Sequence, residues 1–334
     1  MRSEITIDLA ALRSNARRLL DALDGAELWA VVKADAYGHG AVDCARAAIE
    51  AGATLLCVAT LPEALELRRA LPEPRILVLG PTAEIGAARE ARLELSVGEA
   101  VPDGVPVHVK LDTGMGRWGV SELQAPARNV VGLMTHLATA DGDLDFARLQ
   151  VRRFVEATAD YAHLTRHVAN SAGTLRLPEA RFDAARCGIA LYGLSPFGGD
   201  PAADGLTPVL SWRSELALVR RLRPGESTGY GRRFVAERDQ WIGLVPVGYA
   251  DGFRRDLTGT EVRVAGERRR VVGVVSMDSF AVELDRRLPV GAEVVIVGDG
   301  LTLEEHARAA ATINYELATR IDSGPTRARR ELRG

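Results

Sequence analysis

The stretch "LWAVVKADAYGHGAVDCARAAIEAGATLLCVAT" occupies residues 28–60, and its reading decides the fold. It holds an apolar run without clean alternation, a helical pattern and a second apolar run. Runs of that kind suit parallel strands covered on both faces. Working outward, similar runs recur to residue 193: "RILVLG" (75–80), "LELSV" (93–97), "VHVKLD" (107–112), "VVGLMTH" (130–136), "LTRHVAN" (164–170) and "DAARCGIALYG" (183–193). With "LWAVVKA" (28–34) and "TLLCVAT" (54–60) they make eight. Helical patterns lie between them, among them "LPEALELRRAL", "AEIGAAREA" and the long "GDLDFARLQVRRFVEATADYA". Eight strands interleaved with helices predict a (β/α)8 barrel, with a doubly wound sheet as the alternative. Two connections are lean: "GEAVPDGVP" (98–106) and "GVSELQAPARN" (119–129) are expected to carry shortened outer helices.

After "GLTPVLSW" (205–212) the texture changes to short alternating segments punctuated by Gly, Pro and Asp. These predict a C-terminal, mostly antiparallel β domain, followed by one helix over "TLEEHARAAATINYELATRI". The expected division is a barrel over residues 9–208 and a β domain over 209–334. Residues 3–8 read as a strand outside the barrel count that can pair with either domain.

Bulk properties narrow the field. A net charge of −3 gives no electrostatic case for nucleic acid or a membrane surface. Cys44, Cys57 and Cys187 sit in apolar stretches without metal or redox spacing, which fits a reducing compartment. No apolar run is long enough to span a bilayer, and "MRSEITIDLAALRSN" does not read as a signal peptide. A cytoplasmic protein is expected.

The cations carry the sharpest signal. Of 42 Lys plus Arg, only Lys33 and Lys110 are lysine. A guanidinium cannot act as an amine nucleophile at neutral pH, whereas an ε-amine can. In a barrel, chemistry gathers at the C-terminal strand ends, and there the sequence offers Lys33 with Tyr37, "KLDTGMGRWG" with Lys110 and Arg117, then His136, Asn170, Ser171, Arg186 and Gly188. Singly, each has a plainer reading: a rim lysine, a satisfied core histidine, a salt-bridged arginine, a helix cap. Their convergence on one mouth favours a ligand. Clusters at metal spacing and the Gly-rich dinucleotide fingerprint are both missing, so neither a metal nor a dinucleotide is expected. An amine for a Schiff base, hydroxyls and amides for a phosphate, and an arginine for a pyridine nitrogen fit pyridoxal 5'-phosphate.

The series "AVVKADAYGHG", "VKLDTGMGRWG", "GLMTHLATAD", "HVANSAG", "ARCGIALYGL", "STGYGRRF", "IGLVPVGYADG", "VSMDS" and "TINYE", spanning residues 30–316, resembles the ordered motifs of the alanine racemase family. The resemblance implies a homodimer with active sites shared between subunits. It makes Lys33 the Schiff-base lysine and the base for D-alanine, and Tyr230 the base for L-alanine. Tyr37, Ser171, Gly188, Ile189 and Tyr315 match positions that hold the phosphate. Arg186 matches the arginine facing the pyridine nitrogen, and His136 the histidine stacked on the ring. Met277 and Arg117 match groups that meet the substrate carboxylate, and Tyr249 stands at the entrance with Asn170 supporting. Lys110 matches a lysine that many members carry as a carbamate. The implied activity is interconversion of L- and D-alanine for peptidoglycan; a broader or serine-preferring racemase on the same scaffold is the alternative. The closing "RIDSGPTRARREL" follows the family pattern only loosely, and Ser276 stands where many relatives have cysteine.

Overall fold

The computed structural model describes residues 2–334, which divide into two compact units. One unit, Ala10–Thr207, is a closed barrel of eight parallel strands. Its strands are Glu27–Val31, Leu55–Val58, Arg75–Val78, Glu94–Val97, Val107–Lys110, Val130–Met134, Thr165–His167 and Ala184–Cys187. Closure comes from the first strand pairing with the eighth, Glu27 opposite Ala184 and Trp29 opposite Arg186.

Local signals set the outer helices. Thr60 and Glu63 form a reciprocal capping box on Leu61–Ala70, satisfying amides that have no partner inside the helix. Asp143 accepts from the Phe146 amide to start Leu144–Ala157, and Asn170 accepts from Gly173 to start Ser171–Arg176. The shortened helices expected after the fourth and fifth strands do not form: residues 98–106 and 119–129 contain no helix. Pro102, Pro106 and Pro126 remove helical donors there. Gly104 and Gly119 adopt positive φ (+76° and +132°). At Gly119 the chain folds back on the fifth strand, with Val120 N–H donating to Lys110 O and its carbonyl accepting in return from the Asp112 amide, both at 2.8 Å. A Cβ at Gly119 would lie 2.8 Å from the Asp112 nitrogen.

The other unit comprises the N-terminal residues through Leu9 and residues 208–334. Its main sheet has nine strands. Every pairing in it is antiparallel except one: Glu4–Asp8 lies between Leu210–Glu215, antiparallel, and Arg329–Arg333, parallel. Leu222, Ala236, Ile242, Val272 and Ala281 pack into one of its apolar clusters. The expected single helix is two, Leu303–Ala309 and Asn314–Arg320. The break falls where Ala311 turns to φ +50°.

Candidate active site

Lys33 follows the first barrel strand by two residues and opens a backbone turn of unusual hand. Ala34, Asp35, Ala36 and Tyr37 all have φ between 50° and 55°. A left-handed helical turn costs about 1–2 kcal/mol per non-glycine residue, so its surroundings must hold it. Glu63 does much of this: one carboxylate oxygen accepts from the Ala34 amide at 2.7 Å, the other from Ala59 and Thr60 at 2.8 and 2.9 Å. Asp35 caps the next helix through the Ala41 amide at 2.7 Å. The buried Tyr192 donates to Val31 O at 2.8 Å and packs 5.1 Å, ring to ring, from Tyr37. Burial, then the charge of Arg117, lowers the Lys33 amine below its ordinary range.

Tyr37 and Ser171 both meet the turn after the eighth strand. Ser171 Oγ accepts from the Gly188 amide at 3.1 Å and from Ala190 at 3.4 Å, and its hydroxyl also bonds the Cys187 sulfur. Ile189 opens the helical turn Ile189–Tyr192, so its amide has no acceptor within that turn. A Cβ on Gly188 would lie 2.5 Å from Tyr37 Oη, so no larger residue fits beside the phenol. Burial pushes the Tyr37 phenol up, which keeps it protonated and a donor. The Tyr37 and Ser171 hydroxyls and the Ile189 amide thus line one cradle, beside the small Gly188.

Arg186 is 4% exposed and heavily tied. Nη1 donates to His167 Nδ1 at 2.6 Å and His167 O at 2.8 Å. Nη2 donates to Thr135 O at 2.6 Å and lies 3.4 Å from His136 Nδ1. With both terminal nitrogens so committed, Nε is the donor left for another partner. Burial lowers Arg186 to about 10, so it is still a cation at neutral pH. His136 sits well below the usual imidazole range because of burial and then Arg186. The ring beside the guanidinium is therefore neutral, and Arg186 alone is the cation of that pair.

Lys110 ends the fifth strand, with burial followed by Arg117 lowering its amine to about 8. Lys110 Nζ and the Arg117 guanidinium both lie over the Trp118 ring, at 5.6 and 5.5 Å. Asp112 shapes their loop by accepting from the Gly114 and Gly116 amides at 3.0 Å. A cavity of about 650 Å³, lined in part by Ser96, Glu99, Lys110, Arg117 and Trp118, opens beside them. Trp118 did not stand out in the sequence; an aromatic close to a strand-end turn was the available signal.

Tyr230, Tyr249, Met277 and Tyr315 belong to the second unit. Tyr230 is 72% exposed on a turn flanked by Gly229 and Gly231, both at positive φ. Tyr249 and Met277 come together, the Tyr249 amide donating to Ser276 O at 3.1 Å and Ala250 to Met277 O at 3.0 Å. Gly248 permits this approach, since a Cβ there would lie 2.3 Å from Ser276 O. In the loosely matching C-terminal segment, Arg327 has a defined job: it bridges the buried Asp251 at 2.9 Å and Asp278 at 3.0 Å, tying together the loops that carry Tyr249 and Met277.

Comparison with known proteins adds three findings. Residues 7–196 match the family model "Alanine racemase, N-terminal domain" and residues 209–329 "Alanine racemase, C-terminal domain". The alanine racemase of Streptomyces coelicolor is 44% identical over 97% of this chain and 94% of its own length; that of Geobacillus stearothermophilus is 39% identical over 94% and 90%. Among solved structures, the alanine racemase of D-cycloserine-producing Streptomyces lavendulae superposes with a TM-score of 0.91 at 39% identity, covering 100% of this chain and 97% of that one. The Bacillus anthracis alanine racemase with bound L-Ala-P does so at 0.87 and 35%, covering 96% and 93%.

Proposed function

Because the chain belongs to the alanine racemase family, and is thus an amino-acid isomerase, we propose that it interconverts L- and D-alanine with pyridoxal 5'-phosphate, using Lys33 and Tyr230 as the two bases. The observation that carries the cofactor reading is the guanidinium of Arg186, charged and held by both terminal nitrogens with Nε to spare. The cradle supports it as well: Tyr37, Ser171 and Ile189 present donors and no carboxylate, and Gly188 leaves room beside them, which suits a phosphate dianion. Tyr315 would complete the phosphate set, and His136 would lie against the ring. When bound, the cofactor acidifies the Cα–H of an amino acid by taking up its electron pair.

The chain's own residues do the rest. Lys33, with its proton affinity lowered, would accept the Cα proton of D-alanine, and Tyr230 that of L-alanine; each gives a proton back to its own face when the reaction runs the other way. Arg186 holds its proton at neutral pH, so it would donate a hydrogen bond to the ring nitrogen without protonating it, which would restrain the cofactor's electron uptake and disfavour transamination. Arg117 and Met277 meet the substrate carboxylate, Tyr249 narrows the entrance, and Asn170 steadies Ser171 by capping its helix.

We place these centres in a homodimer, with the active site shared between subunits. Supporting this, Tyr230, Met277 and Ile313 of one unit and Trp118 of the other are each more than half exposed on the single chain; large apolar groups left in water often mark an interface. The physiological role we assign is D-alanine supply for peptidoglycan, in the cytoplasm. The three cysteines are buried thiols, as suits a reducing compartment. Among the described residues, no helix is long and apolar enough to cross a membrane.

Incubation of L-alanine in deuterated water should yield D-alanine carrying deuterium at Cα. Chiral analysis over a panel of amino acids decides specificity, and faster turnover of serine would move the assignment to a serine-preferring racemase. Lys110 supplies a second test. Carbamate forms from the neutral amine, and an amine lowered to about 8 is partly neutral at pH 8. Under ¹³CO2 at that pH a carbamate carbon resonance is expected, fading as the amine protonates below about pH 7 and missing from Lys110→Met. A spectrum without that resonance would leave Arg117 facing an amine.

A further inference from the structure

Inside the barrel, a row of hydrogen bonds continues from Arg186 away from the mouth. His167, which accepts from Arg186 on Nδ1, lies with Nε2 2.9 Å from His108 Nδ1. His108 Nε2 lies 2.8 Å from Glu94 Oε2. Arg75 closes the row, donating Nε and Nη2 to the two oxygens of Glu94 at 2.7 and 3.0 Å. Both imidazoles are fully buried and Glu94 is 8% exposed. Such interiors are ordinarily filled by branched apolar side chains, so a line of polar groups here needs a reason.

The fold makes room for it at one position. His108 and His167 stand on the fifth and seventh strands, with the sixth between them. A Cβ at Gly132 of the sixth strand would lie 2.2 Å from His108 Nδ1. Gly132 has no such atom, and the two rings meet across it. Trp29 walls them, its ring 5.5 Å from His108 and 4.4 Å from His167.

The row has one sense. A guanidinium only donates, and a carboxylate only accepts. Two neutral imidazoles in series between them have a single arrangement: each accepts on Nδ1 and donates from Nε2. A proton on either Nδ1 would set donor against donor. We propose that Glu94, clamped by Arg75, is a positioning residue: through His108 it fixes both imidazoles as Nε2–H tautomers, and thereby keeps His167 Nδ1 as the acceptor that orients Arg186 toward the cofactor's ring nitrogen. The last clause rests on the function proposed above. Protonation agrees with it. Burial leads in lowering both rings. For Glu94, burial alone would raise the carboxyl, but bonds from His108 and Arg75 outweigh it and hold the group at about 2.

The test uses ¹⁵N-histidine protein without cofactor, where two-bond ¹H–¹⁵N correlations report which ring nitrogen carries the proton. In the wild type, His108 and His167 should both show protonated Nε2 and bare Nδ1. In Glu94→Gln the amide can donate to His108 Nε2, so the His167 pattern should become mixed or inverted. Alanine turnover should fall roughly 10- to 100-fold, as for other outer-shell partners, with KM little changed. A doubly protonated ring or an Nδ1–H tautomer in the wild type overturns the proposal, and needs no variant to fold. Unchanged tautomers in Glu94→Gln, in a protein whose wild type racemises alanine, overturn it alone. A wild type with the expected tautomers but no racemisation would instead sink the functional reading.

Discussion

Lys33→Ala is expected to lose roughly 10⁴-fold or more of racemisation, in both directions, because on the proposed function one substitution removes a proton-transfer group and the cofactor's anchor together. The fold should survive. Lys33 is half-buried, and the left-handed turn beyond it is held by backbone bonds to Glu63 and Asp35 that do not involve the lysine side chain. Thermal unfolding of the variant should therefore stay near the wild type while turnover disappears. Lys33→Arg should fare no better: it keeps a cation but cannot shed a proton to become a nucleophile. The amine's lowered proton affinity, set first by burial and then by Arg117, is what makes it usable near neutrality. Added small primary amines should restore part of the proton transfer in Lys33→Ala and nothing in Lys33→Arg, whose bulk occupies the space. Turnover within tenfold of wild type in Lys33→Ala would remove this residue from the chemistry.

Tyr230→Phe is expected to lose about 10²- to 10⁴-fold, and to lose it unevenly. The change deletes one oxygen from a side chain that is 72% exposed on the single chain, so stability should hardly move. In deuterated water, the variant should still exchange the Cα hydrogen of D-alanine, which Lys33 handles. Exchange from L-alanine should nearly stop. Equal losses for the two enantiomers would end the division of labour between the bases.

Much of this was legible from residue types. Eight apolar runs located the eight barrel strands, and the residues singled out at their ends are ones the structure brings near one another: Lys33, Lys110, Arg117, His136 and Arg186 interact, and Tyr37 and Ser171 meet at Gly188. Other features were hidden because their causes are nonlocal or cryptic. The left-handed turn at 34–37 is built from Ala, Asp, Ala and Tyr, and without glycine no propensity announces it. The missing helices after the fourth and fifth strands could have been read from Pro102, Pro106 and Pro126. The strand Glu4–Asp8 takes its place from partners some 200 and 325 residues away, which no local pattern encodes. The interior row was partly visible: His108 in "VHVKLD" and His167 in "LTRHVAN" interrupt apolar strands, and Gly132 weakens one. A polar residue inside a strand of a closed barrel has only other strands to bond with, and that was the clue.

The position of Glu4–Asp8 also bears on how the molecule is made. All eight strands of the barrel lie between residues 27 and 187, so they can assemble while the ribosome is still decoding the downstream codons. The strand Glu4–Asp8, made before all of them, has no such option. One neighbour, Leu210–Glu215, emerges some two hundred codons later, and the other, Arg329–Arg333, later still. Throughout that interval its backbone lacks both of these ladder partners. Its alternation of Ile5 and Ile7 with Glu4, Thr6 and Asp8 puts charge at both ends of the segment, a guard against premature pairing during translation.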